Sequence, residues 1–134
     1  RTALQVAADV GNIELVQILL AAGADVNAPA ANYAGATSLQ AAAIRGYVGI
    51  ATILLDAGAN TNGHAASEQG RTALEGAAEH GRIDMVQLLL NAGAELHGNG
   101  ERQYRNALEL ASENGHNAVR RLIEAYYESH KPGI

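Results

Sequence analysis

The chain has 134 residues, a net charge of −5 and no Cys. That length suits one domain; the missing Cys excludes a disulfide framework and a Cys-ligated metal, and the acidic balance argues against nucleic acid and anionic membrane as partners. Apolar residues make up 48% with no Phe or Trp, so the core must be Leu, Ile, Val and Ala, and no apolar run approaches a membrane span.

The absence of Cys is compatible with an intracellular, cytoplasmic protein. The chain opens at Arg1 with no initiator Met and no signal-peptide pattern, so it is expected to be a piece of something longer.

One stretch is written four times. Thr2 begins TALQVAADVGNIELVQILLAAGADV, Thr37 begins TSLQAAAIRGYVGIATILLDAGANT, Arg71 begins RTALEGAAEHGRIDMVQLLLNAGAEL, and Asn106 begins NALELASENGHNAVRRLIE. Gly11, Gly46, Gly81 and Gly115 stand 35, 35 and 34 residues apart, as do Leu4, Leu39, Leu74 and Leu108. A period of this size indicates a solenoid. The expected units are 1–29, 30–64, 65–98 and 99–134, together forming a single repeat domain over 1–134.

In the first unit, Thr2 and Gln5 fit a capping box, in which a hydroxyl caps the first turn and an acceptor three residues on reaches back. The same pair recurs as Thr37/Gln40, Thr72/Glu75 and Asn106/Glu109, which predicts four helix starts. Each first helix is expected to stop at its periodic Gly, the residue best suited to a left-handed C-terminal cap. A second helix is predicted over residues 13–22, 48–57 and 83–92 from apolar residues at helical spacing, such as Ile13, Val16 and Leu20. Leu15, Ile18 and Leu19 add a second apolar stripe, so more than one neighbour must cover these helices. The connectors 28–36, 63–71 and 98–105 are read as projecting, hairpin-like fingers.

The fourth unit differs. Arg120 stands where earlier units have Val16, Ala51 and Val86, and Glu124 where they have Leu20, Leu55 and Leu90. The face that would meet a fifth repeat has turned polar, as a terminal cap requires. Arg120 and Glu124 are spaced to pair on it. Tyr126 and Tyr127 are expected to shield that end of the core. The first unit shows no such polar face, so the array is expected to extend upstream of Arg1.

These residues resemble ankyrin repeats over essentially the whole chain. The family's T-P-L-H-x-A-A-x-x-G-H motif is matched by Thr2 to Gly11, Thr37 to Gly46, Thr72 to Gly81 and Asn106 to His116. Its L-L-x-x-G-A-D-V-N ending is matched at Leu19 to Asn27, Leu54 to Asn62 and, more loosely, Leu89 to His97. Ala or Ser follows the Thr where the family has Pro. Gln or Glu replaces the His, which leaves the family's inter-repeat hydrogen bonds without their usual donor. The resemblance implies an all-α ankyrin solenoid of four helix-turn-helix repeats with projecting fingers and a C-terminal capping repeat. The TALQ-type motif and long fingers are similar to arrays in fungal multidomain proteins, including receptor-like ones with an NTPase domain.

No catalytic constellation is present in the sequence. The five His residues make no metal spacing, and Ser67, Ser112 and Ser129 lack a nucleophile-elbow setting. His64 and His97 fall at the ends of successive repeats and are read as solvated turn residues, with a shared metal role as the lesser alternative. The Gly spacing follows the repeat and matches no phosphate loop. The reading is therefore a non-enzyme with no cofactor and no metal site.

The family binds partners on its concave face, made of finger tips and the exposed side of the first helices. By register the candidate partner-binding residues are Asp9, Ile44, Arg45, Glu79 and His80 on helices, with Tyr33, Arg71, Tyr104 and Arg105 on fingers. Val10, Glu113, Asn114, Glu68, Gln69 and Arg102 fall on the same surface. Tyr33, Ile44 and Tyr104 stand out, because aromatic and apolar side chains anchor interfaces more often than charges. The expected function is protein–protein recognition by a monomeric module. The alternatives are an intramolecular regulatory domain of a larger receptor-like or enzymatic protein, and a small-molecule or sugar site in the concave groove.

Overall fold

The computed structural model describes residues 1–133. Thr2 accepts the Gln5 amide on its hydroxyl at 3.1 Å, and Gln5 Oε1 accepts the Thr2 amide at 2.9 Å, closing the capping box that starts α1 (Ala3–Val10). The same reciprocal pair starts α3 (Ser38–Arg45) at Thr37/Gln40 and α5 (Ala73–Glu79) at Thr72/Glu75. Two free amides are satisfied at each start, where an uncapped helix would leave them to water. The second helices are α2 (Ile13–Ala21), α4 (Val48–Asp56) and α6 (Ile83–Asn91), and the fourth pair is α7 (Glu101–Glu113) and α8 (Asn117–Ser129). Among the described residues there are no strands; the array is all-α and built of paired helices.

The turn between paired helices depends on its glycine. Gly46 adopts φ +78°, and a Cβ there would stand 2.9 Å from Cδ of Arg82. Arg82 lies over this turn from the next repeat and donates from Nε to the Ile44 carbonyl at 3.2 Å. A side chain at Gly46 would meet both backbone strain and a neighbour.

α1, α3, α5 and α7 stack side by side as an inner layer, and α2, α4, α6 and α8 as an outer one. The inner layer packs through Ala7, Ala8, Ala42, Ala43, Ala77, Ala78 and Ala111, all fully buried. Short side chains let the inner helices approach closely. Leu4, Leu39 and Leu74 fill the seam, and Val16, Leu54, Val86, Leu89 and Ile123 close it from the outer layer. Each buried Leu or Ile contributes about 1.5–3 kcal/mol over its exposed state.

The Gln residues at the motif His position have a second role. Gln40 Nε2 donates to the Gly63 and His64 carbonyls, both at 3.0 Å, and Gln5 Nε2 donates to those of Ala28 and Pro29. The donor missing from the motif is thus supplied by the amide end of the capping residue. Asn27 and Asn62 add rivets that sequence reasoning missed. Asn27 donates to the Gly58 carbonyl and accepts the Asn60 amide; Asn62 does the same with Gly93 and Glu95. Their recurrence in one register was the available signal.

Three expectations are corrected. The connector 98–105 is not a finger, and Asn106/Glu109 is not a helix start. After a 3-10 turn at Gly98–Gly100 the chain enters α7 at Glu101, which places Asn106 inside the helix. Glu101, Arg102, Gln103 and Arg105 are good helix formers, and nothing among them breaks the helix. The remaining fingers are not hairpins either. Tyr33 and Glu68 form an isolated parallel bridge, with Ala34 N to Glu68 O at 2.8 Å and Glu68 N to Asn32 O at 3.0 Å. Pairing therefore runs from one finger to the next.

The C-terminal end is polar as expected. Arg120 pairs with Glu124 at 3.4 Å and donates to the Ser112 hydroxyl at 2.9 Å. Tyr126 and Tyr127 pack on the edge of the core, and the Tyr126 hydroxyl donates to the Leu90 carbonyl at 3.1 Å.

Candidate functional site: the finger-side clefts

The fingers rise beside the inner helices, with clefts between them. The smaller, about 310 Å³, lies between the first finger and α1/α3. It brings together four residues singled out from sequence: Asp9, Tyr33, Ile44 and Arg45. Asp9 bridges two cations, Arg1 on Oδ2 and Arg45 on Oδ1, each at 3.1 Å. Burial pushes the Asp9 carboxyl up, but the hydrogen bonds and charges of Arg45 and Arg1 outweigh it and hold it below the usual carboxylate range. Tyr33 is exposed at the finger tip.

The larger cleft, about 980 Å³, lies between the second finger and α7. It exists because α7 replaces a third finger. His64, Gln69 and Arg71 line one side, and Arg102, Asn106 and Glu109 the other. Glu75 closes the floor, buried at the position where earlier repeats have Gln. A carboxylate only accepts hydrogen bonds, so it cannot hold finger carbonyls as Gln5 and Gln40 do. Glu75 Oε2 instead accepts from Asn106 Nδ2 at 3.0 Å, tying α5 to α7. Gln103 Nε2 donates to the Glu95 carbonyl at 2.9 Å on the same floor.

The remaining sequence candidates are placed differently. Arg71 holds Glu79 at 3.1 Å, and Glu79 lies 3.9 Å from the His80 ring. Glu79 and His80 line neither cleft. Ile44 is not a free anchor. It is half-buried against the Gly76 backbone, where an added Cβ would stand 2.6 Å from Ile44 Cγ1. Tyr104 and Arg105 are on α7 and not on a finger. Tyr104 stacks on Tyr127 with ring centroids 3.9 Å apart, and Tyr127 stacks on His97 at 4.0 Å. Burial raises the Tyr104 phenol above its ordinary value, helped by the Glu124 carboxylate and by Tyr127. His97 Nε2 stands 3.0 Å from the Tyr127 carbonyl. Arg105 lies 3.9 Å from Glu101 on the same helix.

What these clefts offer is hydrogen bonding and charge on a stack locked by side-chain rivets. Among the described residues, no group of three or more His, Cys, Asp or Glu is placed to hold a metal ion. Among the same residues, no helix is long and apolar enough to cross a membrane.

A search of the curated proteins finds no match to this chain. The family description for three tandem copies, ankyrin repeats, matches residues 4–100 and again residues 62–131. Paired helices closed by periodic glycines, joined through fingers and matched over nearly their whole length, identify the chain as a member of the ankyrin-repeat family.

Proposed function

We propose that this chain is a non-enzymatic recognition module, working inside the cell, that holds a protein partner along its finger side. Ankyrin repeats are generally protein–protein interaction modules. The observation that carries the reading is the 980 Å³ cleft between the second finger and α7. Pockets for small molecules are mostly apolar and enclose their ligand. This cleft is open, and amide, guanidinium and carboxylate groups line it, which suits a polypeptide segment with its own backbone donors and acceptors. The smaller cleft continues the surface toward α1 and adds Tyr33 as an exposed aromatic. A stack this rigid loses little freedom on binding, so a few side chains can set the affinity. As a module bounded by a polar end, the single domain is proposed to act as a monomer, on a partner protein or on another domain of its own polypeptide.

The test is affinity capture with three versions of the chain in parallel. The cleft version carries Arg102→Ala with Glu109→Ala, both exposed. The control carries Gln17→Ala with Gln87→Ala on the outer helices. A partner held by the unaltered chain and by the control, but released about tenfold or more faster by the cleft version, supports the reading. A partner released by the control and kept by the cleft version refutes it.

A further inference from the structure

The second finger keeps one edge of its backbone open. In the bridge between the fingers, the Ala34 amide donates to the Glu68 carbonyl and the Glu68 amide to the Asn32 carbonyl. Glu68 thus commits both of its backbone groups to the first finger. Ser67 and Gln69 stand in the register of Asn32 and Ala34. Ala34 and Gln69 also share a positive φ, +51° and +55°, which non-glycine residues seldom adopt. In the first finger that conformation turns the Asn32 carbonyl and the Ala34 amide toward the finger that follows. The second finger repeats it, so the Ser67 carbonyl and the Gln69 amide face the place a third finger would fill.

That place is the 980 Å³ cleft, which Ser67 and Gln69 line and Glu68 does not. Among the described residues, no backbone group donates to the Ser67 carbonyl and none accepts the Gln69 amide. An unpaired edge of this kind is a template for a further strand. Charge narrows what can enter. Glu75, Glu95, Glu109 and Glu113 line the cleft against two arginines, Arg71 and Arg102, and Arg71 is already held by Glu79 at 3.1 Å. Glu109 and Glu113 are exposed and lie four residues apart, on one face of α7.

We infer that the open edge of the second finger pairs with an extended, basic segment of the protein partner, which takes the place of a third finger. One residue of that segment donates its amide to the Ser67 carbonyl and accepts the Gln69 amide on its own carbonyl, as Glu68 does with Asn32 and Ala34. The segment runs parallel to the finger, and Lys or Arg side chains beside the paired residue meet Glu109 and Glu113. Main-chain bonds supply affinity, and the charges select the partner. The inference rests on the finger side being the recognition face, and it continues the pairing already made between the two fingers.

The test selects short random peptides by display against the chain and measures an enriched one by fluorescence anisotropy. Enriched peptides should carry Lys or Arg and lack Asp and Glu. Methylating the peptide's backbone nitrogens one at a time should weaken binding about tenfold or more at one position and spare its two neighbours. In the complex the Gln69 amide should exchange with solvent about tenfold or more slowly. Glu109→Gln with Glu113→Gln should weaken binding about tenfold and leave the urea midpoint in place. Peptides that perturb the cleft but are acidic, or that tolerate methylation throughout and leave Gln69 exchange unchanged, overturn the inference while the finger-side reading stands. Peptides that map to α2, α4 and α6, or a selection that enriches none, overturn both. A chain that is dimeric by light scattering and becomes monomeric as the peptide saturates it also overturns the inference, because the edge would then belong to a second copy.

Discussion

Gln40 is the most demanding side chain in the stack, because its two ends do opposite jobs. It is 1% exposed; Oε1 accepts the Thr37 amide at 3.0 Å while Nε2 donates to the Gly63 and His64 carbonyls. Gln40→Glu keeps the size and the capping acceptor but replaces the donor with a second acceptor facing two carbonyls. Two hydrogen bonds worth about 1 kcal/mol each are lost, and buried acceptors are left facing each other, so the expected cost at pH 7 is about 2–4 kcal/mol. Such a carboxyl should have a folded-state pKa above its unfolded value of about 4.3. Its protonated form can still donate once, so the deficit is smallest below about pH 4 and grows as pH rises through the folded-state pKa. The reciprocal change, Glu75→Gln, should cost about 0.5 kcal/mol or less, because the Asn106 amide can turn its oxygen toward the new donor. Urea denaturation of the three proteins at pH 7 and pH 4 measures both. A Gln40→Glu variant as stable as the parent at pH 7, or a Glu75→Gln variant that loses as much, would refute the assignment of finger anchoring to Nε2.

Leu89, fully buried in the central stack, should cost about 2–5 kcal/mol when cut to Ala, read from the shift in the denaturation midpoint. Gly76→Ala should cost about 1–3 kcal/mol through the Ile44 clash, and Ile44→Ala in the same chain should recover part of that loss; additive effects in the double-mutant cycle would contradict the contact. Asp9 titrates low, so its small contribution is present above about pH 3.9 and lost as pH falls through its folded-state value. Arg45→Ala should move the Asp9 carboxyl resonance in a pH titration upward, and an unchanged titration would contradict the pair.

The repeat, the capping boxes at Thr2, Thr37 and Thr72, the glycine turns and the polar last face were legible because each is written locally and in register. The misses have long-range causes. Asn106-Ala-Leu-Glu109 mimics a helix start, but whether a helix begins there depends on residues 101–105, which are themselves helix formers. Ile44 looked exposed by register, and only the missing side chain of Gly76 in the next repeat makes room to bury it. Tyr104 was read as a finger anchor, yet the fourth pair lacks the finger and sets the ring against Tyr127. The large cleft shares this origin. Its walls come from a finger and a helix far apart in sequence, and Glu75 in place of Gln was the one visible sign that the third finger has no anchor.

The central claim is that the finger side, and above all the cleft between the second finger and α7, receives the partner. The most direct measurement is an amide chemical-shift map of the chain with and without the captured partner. The account predicts shifts concentrated in residues 60–72 and 95–113, extending to Tyr33 and Arg45, with the outer helices α2, α4 and α6 undisturbed. Shifts centred on those outer helices, with the cleft silent, would contradict it.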